Sequence, residues 1–328
     1  AAADLFYRRV INEHPNSPFR MRADLRRAEL FLSAQQPAEA IAILQALIAR
    51  PPPHEIEAGA RYFLAIAARM TNGTANAESE LREVIQRFSD TPFLSLAALE
   101  LADLRERAGA PFEEIAALYR TAAEHAASSN LSAEAWQRLG NAAYTATNYA
   151  AAATAYGRLL QDHPDHPRAA EAALPAAWSL FHIGRPADAI ALAERRIAAS
   201  GETDEWLYLL ANARRALLDT DRAVDSYDAL VRRFPNSRLA AAARYESALA
   251  LFRQRRFAEV IRRLDGAEWP AEFRADVDWM LAESYAQTGA ADAAIQHYRR
   301  VVESSPPSPR APEAMYKLGT MLVERGAR

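Results

Sequence analysis

The stretch Ala3-Asp4-Leu5-Phe6-Tyr7-Arg8-Arg9-Val10 returns near the far end of the chain as Ala294-Ile295-Gln296-His297-Tyr298-Arg299-Arg300-Val301. Each copy has a proline 12 residues after its alanine, at Pro15 and Pro306. The same frame recurs as Ala152, Tyr156, Pro164 and as Ala223, Tyr227, Pro235. Weaker copies begin at Ala40, Ala77, Ile115, Ala189 and Val260, so nine anchors follow one another at 37, 37, 38, 37, 37, 34, 37 and 34 residues. A second landmark stands 12 residues before every anchor but the first, and it is small: Ala28, Ala65, Gly140, Ala177, Ala211, Ala248 and Ala282. Only Asp103 departs, with Ala102 beside it. A period of this length is that of a supersecondary unit stacked on copies of itself. Small residues that face each other across two helices let the backbones approach, while large residues a turn away interlock around the contact. The repeat therefore predicts helical hairpins.

The connections agree. Within hairpins lie Gln36-Pro37, Asn72-Gly73, Gly109-Ala110-Pro111, Gly184-Arg185-Pro186 and Gly289, all helix-stop or turn signals. Between hairpins lie Pro15-Asn16-Ser17, Pro235-Asn236-Ser237 and Asp90-Thr91-Pro92, where a polar cap and a proline open the next helix. Pro175 falls inside the helical pattern of about 168–183 and predicts a bend there, because an interior proline lacks a donor and clashes with the preceding turn. Alanine makes up close to a quarter of the 328 residues and favours helix.

Composition narrows the function classes. With 39 basic and 42 acidic side chains the chain has no bulk charge to attract nucleic acid. No apolar run is long enough to cross a bilayer. The absence of cysteine excludes disulfides and thiolate chemistry. Lys317 is the only lysine, an arginine bias read as genomic base composition.

The spacing resembles the tetratricopeptide repeat, a helix–turn–helix unit of about 34 residues. The nearest copy is Trp136-Gln137-Arg138-Leu139-Gly140 followed by Ala152, Tyr156 and Pro164, with Ala143 where the family usually has tyrosine and Tyr144 next to it. Leu318-Gly319 repeats the Leu-Gly pair. The resemblance implies an all-α fold, a right-handed α-solenoid of about 18 helices in repeats of 34–38 residues. It implies one superhelical domain over 1–328, opening with an unpaired second helix (1–15) and closing with an unpaired first helix (309–328). The prevailing 37-residue period is read as three residues added at the start of the first helix. Junctions such as His14-Pro15-Asn16-Ser17-Pro18 and Phe234-Pro235-Asn236-Ser237 resemble a bacterial subgroup that includes the outer-membrane barrel-assembly lipoprotein and the periplasmic coordinator of the Tol–Pal system. Leu5, Phe6, Val10 and Ile11 at one end, and Tyr316, Leu318, Met321 and Leu322 at the other, read as stacking residues. That reading predicts a segment of a longer repeat protein, or ends covered by another subunit.

Chemistry is sparse. His163-Pro164-Asp165-His166-Pro167 brings two imidazoles together without a third ligand at useful spacing, so both read as junction residues. Glu78-Ser79-Glu80 and Glu113-Glu114 read as solvated helix starts that complement the dipole. There is no glycine-rich phosphate loop, no Gly-x-Ser-x-Gly elbow and no His-Glu-x-x-His. The expectation is therefore no enzyme, no cofactor and no metal. Two arginine clusters, Arg20, Arg22, Arg26, Arg27 and Arg253, Arg255, Arg256, Arg262, Arg263, read as solvated faces before docking patches, because acids interleave with them.

In the family, first helices line a concave groove, and residues three before and one after the small landmark point into it. The resemblance thus nominates Tyr62 with Ile66, Gln137 with Asn141, Leu174 with Trp178, Tyr208 with Asn212, Tyr245 with Leu249, Trp279 with Glu283 and Tyr316 with Thr320. Six of these are tyrosine or tryptophan, which offer contact area at little rotamer cost, and an asparagine amide can pair with a guest backbone. The basic residues of the family's chaperone-tail clamp are missing. The expected partner is a protein or peptide, held by an interaction scaffold in a bacterial envelope-associated assembly, periplasmic rather than cytoplasmic. Two other readings are a periplasmic repeat segment of a polysaccharide-export or cell-wall machine, and an accessory domain of a larger enzyme or regulator.

Overall fold

The computed structural model describes residues 2–304, 307–324 and 326; Pro306, one of the repeat-closing prolines, lies outside them. Eighteen α-helices and no strand occur among the described residues. In chain order they are α1 (Ala2–Glu13), α2 (Arg20–Ser33), α3 (Pro37–Ile48), α4 (His54–Met70), α5 (Thr74–Arg87), α6 (Phe93–Arg107), α7 (Phe112–Glu124), α8 (Ser129–Thr145) and α9 (Tyr149–Asp162). They continue as α10 (Pro167–His182), α11 (Pro186–Ser200), α12 (Asp204–Ala216), α13 (Thr220–Arg233), α14 (Ala240–Arg253), α15 (Phe257–Leu264), α16 (Ala271–Gln287), α17 (Ala291–Val302) and α18 (Ala311–Glu324). Even-numbered helices carry the small landmark and odd-numbered helices the anchor. Two compact units result, residues 1–179 and 180–328.

The turn between helices explains why one register holds throughout. Each of the eight hairpin turns has one residue in the left-handed region: Gln35, Asn72, Gly109, Thr147, Gly184, Leu218, Arg255 and Gly289. Its own N–H and that of the next residue bond back to the last turn of the helix, as Gln35 N to Leu32 O at 3.0 Å and Gln36 N to Phe31 O at 2.9 Å. This double bond satisfies carbonyls that a helix end leaves orphaned. Counting back seven residues from each left-handed residue lands on Ala28, Ala65, Ala102, Gly140, Ala177, Ala211, Ala248 and Ala282. The apparent exception at Asp103 is thereby corrected. Ala102 is the landmark and is fully buried, and the extra residue of the 38-residue interval lies between Gly109 and Ile115.

From α1 to α9 each helix packs on its sequence neighbour, and the first helices α2, α4, α6 and α8 also touch in succession. Gly59 shows why they can. A Cβ there would stand 2.7 Å from the Phe93 ring and 2.9 Å from Leu25, so the glycine admits side chains from both neighbouring first helices. Leu25, Leu32, Leu44 and Leu47 form one core and Leu81, Val84, Phe88 and Leu101 the next. In the second unit the cores follow the same order, with Tyr227 and Leu230, then Leu251, Val260 and Met280, then Trp279, Tyr298 and Val301. The helix α10 continues through Pro175, and Ser179 Oγ donates to the Pro175 carbonyl at 2.7 Å. Among the proposed stacking residues Val10 and Ile11 are half-buried, while Leu5, Phe6 and Tyr316 are exposed.

The two 34-residue intervals are shortened differently. The helix α12 begins only seven residues before its landmark, a shorter first helix, in line with the sequence reading. In the other interval the second helix is cut instead: α15 has 8 residues, against 12 to 15 for the other second helices. Trp269 folds back and its indole Nε1 donates to the Leu264 carbonyl at 3.2 Å, closing the truncated end.

Candidate partner-binding surface

The aromatic site of the first unit begins at one missing methyl. A Cβ on Gly140 would lie 2.4 Å from the Tyr156 ring, so only glycine lets that ring lie against α8. The buried Tyr156 hydroxyl then reaches Asn141 Oδ1 and donates to it at 2.7 Å. Burial pushes the Tyr156 hydroxyl up to about 12, so it remains a donor at neutral pH. With its carbonyl taken, Asn141 presents its NH2 from an exposed position. Around this pair, Tyr144, Thr145, Leu174, Pro175 and Trp178 close a cavity of about 290 Å3, largely apolar, between α8 and α10. Tyr149 braces Tyr144 edge-on, with ring centroids 5.3 Å apart.

Asn141 also borders a second cavity of about 390 Å3, lined by Asp103, Glu106, Arg107, Tyr119 and Arg138. Here the Tyr119 hydroxyl lies 2.7 Å from both Asp103 Oδ1 and Glu106 Oε2. Burial and the two carboxylates raise its pKa. Arg138 bonds Asp103 on one side and Glu134 at 2.5 Å on the other. Arg168 donates to Gln137 Oε1 at 2.6 Å, and Gln137 Nε2 donates to Glu171 at 2.9 Å. One polar ladder thus runs from α6 across α8 to α10 beside the apolar cavity.

The nominated residues separate on this evidence. Asn141 and Trp178, with Leu174, share one cavity, and Gln137 stands in the adjoining ladder. Tyr62 packs against Phe63 and Phe93 at 5.3 and 5.8 Å between ring centroids, and burial raises its hydroxyl pKa. Tyr208 meets Tyr227 edge-on at 5.9 Å, and Tyr245 stacks on Phe273 at 5.0 Å. Asn212 is 8% exposed and donates to the Tyr208 carbonyl at 2.8 Å. Trp279 is 5% exposed; Tyr298 meets it edge-on, and the charges of Arg310 and Lys317 lie 5.2 and 5.1 Å from its ring centre. Tyr316 is 76% exposed. Trp279 and Asn212, expected on an open groove, are thus covered by the chain's own residues. Sequence reasoning missed Tyr144 and Thr145, although both lie one turn beyond Asn141, and two beyond Gln137, on the same helix face.

The arginine clusters are largely spent on their own acids: Arg27 on Asp4 at 2.8 Å, Arg26 on Glu29 at 2.6 Å and Arg256 on Glu259 at 2.6 Å. His163 and His166 tie the junction back to α8, through Ser129 Oγ and Asn130 Oδ1, both at 2.8 Å.

Stacked helical hairpins that gather aromatic and amide groups on their first helices form a class of interaction scaffold. The tetratricopeptide repeat model matches residues 1–55, 25–92, 138–205, 208–261, 267–309 and 280–327, and the chain belongs to that family, whose members bind protein partners. No curated protein sequence matches it. Among solved structures, MamA from Desulfovibrio magneticus RS-1 is 17% identical at a TM-score of 0.43, covering 52% of this chain and 90% of that one. A tetratricopeptide repeat protein from Parabacteroides merdae is 12% identical at 0.44, covering 81% and 98%. PilF of Pseudomonas aeruginosa is 16% identical at 0.41, covering 69% and 97%.

Proposed function

We propose that the chain is a non-enzymatic adaptor that holds a partner segment at the α8–α10 face. An apolar side chain of the guest enters the cavity walled by Tyr144, Leu174 and Trp178, and Asn141 donates its amide to the guest backbone. The observation that carries this reading is the pairing of Tyr156 with Asn141. It orients the amide and leaves its donors unspent beside an apolar cavity. The assembly is envelope-associated, a reading supported by the junctions around Pro15 and Pro235.

A photo-crosslinking residue placed at Thr145, in the cavity wall, tests both statements in cells of the source bacterium. The expected result is one discrete protein adduct, recovered in the envelope fraction, that disappears when Asn141→Ala and Trp178→Ala are combined. No adduct, or one indifferent to those substitutions, refutes the site. A discrete adduct in the cytosolic fraction refutes only the compartment.

A further inference from the structure

A larger cavity than these lies elsewhere, in the second unit, where the hairpin pattern is broken. Because α15 stops after eight residues, residues 265–270 cross the space in which other second helices continue, and about 720 Å3 remains open. Leu264, Val277, Leu281 and Trp269 give it an apolar wall, and Arg274, Asp278, His297 and Arg300 a polar one.

The polar wall has unspent donors. His297, 6% exposed, has its Nδ1 2.7 Å from Asp278 Oδ1, and Tyr285 stacks on its ring at 5.6 Å between centroids. A carboxylate only accepts, so the proton is on Nδ1 and Nε2 is the nitrogen left for a ligand. Arg300 Nη1 forms a loose ion pair with the same Asp278 oxygen at 3.6 Å, beyond hydrogen-bond reach, so its N–H donors stay available. Arg274 makes one long bond, 3.4 Å, to the Trp269 carbonyl. Of the acids that line the cavity, Asp278 is taken by His297 and Asp265 accepts the Tyr285 hydroxyl at 2.8 Å. Exposed Glu268 on the loop is the remaining one. At the two positions of the His–Asp pair, α8–α9 has Trp136 and Ala155, and α12–α13 has Leu207 and Ser226. Stacking hairpins therefore does not require a buried ionisable pair, whose desolvation is costly.

We infer that this cavity binds the carboxylate of an α-amino acid unit, free or at a peptide C-terminus. Arg274 and Arg300 take the carboxylate, His297 Nε2 takes the adjacent N–H, and the side chain rests on Leu264, Val277, Leu281 and Trp269. Guanidinium forks match carboxylates in geometry and charge. The inference is independent of the α8–α10 site.

Titration of the full chain with N-acetyl-L-leucine, L-leucine and L-leucinamide tests it, followed by NMR of the Trp269 indole and His297 ring signals. Saturable shifts with the two carboxylates and none with leucinamide are expected. Arg300→Gln and Arg274→Gln, each altering an exposed side chain, weaken binding by about tenfold or more. Tighter binding of L-leucine, with the preference removed by Glu268→Gln, identifies a free amino acid as the ligand. Tighter binding of the acetylated form identifies a peptide end. Equal shifts with leucinamide, no saturable shift with either carboxylate, or wild-type affinity in both arginine variants would overturn the inference.

Discussion

The hairpins α8–α9 and α12–α13 look alike in sequence. Each has a small landmark, an asparagine after it and a buried tyrosine opposite, yet one asparagine is exposed and the other is enclosed. Two neighbours make the difference. Three residues beyond Asn141 stands Tyr144, which leaves the amide carbonyl to the Tyr156 hydroxyl. Three residues beyond Asn212 stands Arg215, whose Nη2 donates to Asn212 Oδ1 at 3.2 Å. The Tyr227 hydroxyl is buried without a hydrogen-bond partner, beside the Arg215 charge. The landmark also differs, since Ala211 has the methyl that Gly140 lacks. The same framework becomes a presenting amide in one hairpin and a core contact in the other.

The largest effect is expected at the landmark. Gly140→Ala drives a methyl into the Tyr156 ring and should cost about 1–3 kcal/mol, as overpacking does, and it separates Tyr156 from Asn141. The reverse change, Ala211→Gly, should cost about 1–2 kcal/mol, from helix propensity together with the loss of a buried methyl. Urea unfolding midpoints compare the two; a neutral Gly140→Ala would show that the ring does not depend on the missing methyl.

Next come the asparagines. Asn212→Ala removes two hydrogen bonds from an enclosed site and should destabilise by about 1–3 kcal/mol. Asn141→Ala takes the acceptor from the buried Tyr156 hydroxyl and should cost about 1 kcal/mol, less than at Asn212 because the Asn141 amide itself is exposed to water. Equal losses would dissolve the distinction between presenting and structural amides. The tyrosines sharpen it further. Tyr156→Phe should cost about 1 kcal/mol, whereas Tyr227→Phe deletes a buried hydroxyl that has no partner and should be neutral or stabilising in the same assay.

What the sequence revealed, and what it hid, follows the same division. The anchors, the small landmarks and the hairpin turns were legible because packing two helices closely constrains residue size at fixed spacing. The exact register at Ala102 was not, because Gly109-Ala110-Pro111 holds an extra residue that only backbone conformation locates. Asn141 and Trp178 were legible as one surface through their offset from the landmark. Burial of Asn212 and Trp279 was not, since it depends on Arg215, Arg310 and Lys317, residues outside that offset rule. Nor was the cavity at α15, where the short interval was read as a trimmed first helix although the second helix is the one cut.

The smallest expected effect concerns two acids in the same register, each four residues before its landmark. Asp278 is held by the His297 imidazole, while Asp24 lies half-buried on α2. Burial raises the Asp24 pKa against the opposing pull of Arg20, Arg27 and Arg50. A carboxyl whose folded pKa exceeds its unfolded value binds its proton more tightly in the fold. The fold is therefore favoured below the unfolded pKa, and that advantage is lost as pH rises through the raised one. Asp24→Asn removes the charged form and with it the pH dependence. The variant should unfold at a higher urea concentration than the parent at neutral pH, and the difference should shrink towards zero in acid below the ordinary carboxylate range. A variant that unfolds at a lower urea concentration than the parent at neutral pH would mean that the three arginines, not burial, dominate at Asp24. The contrast with Asp278 would then lie in which group each acid meets, imidazole or guanidinium, rather than in whether it meets one.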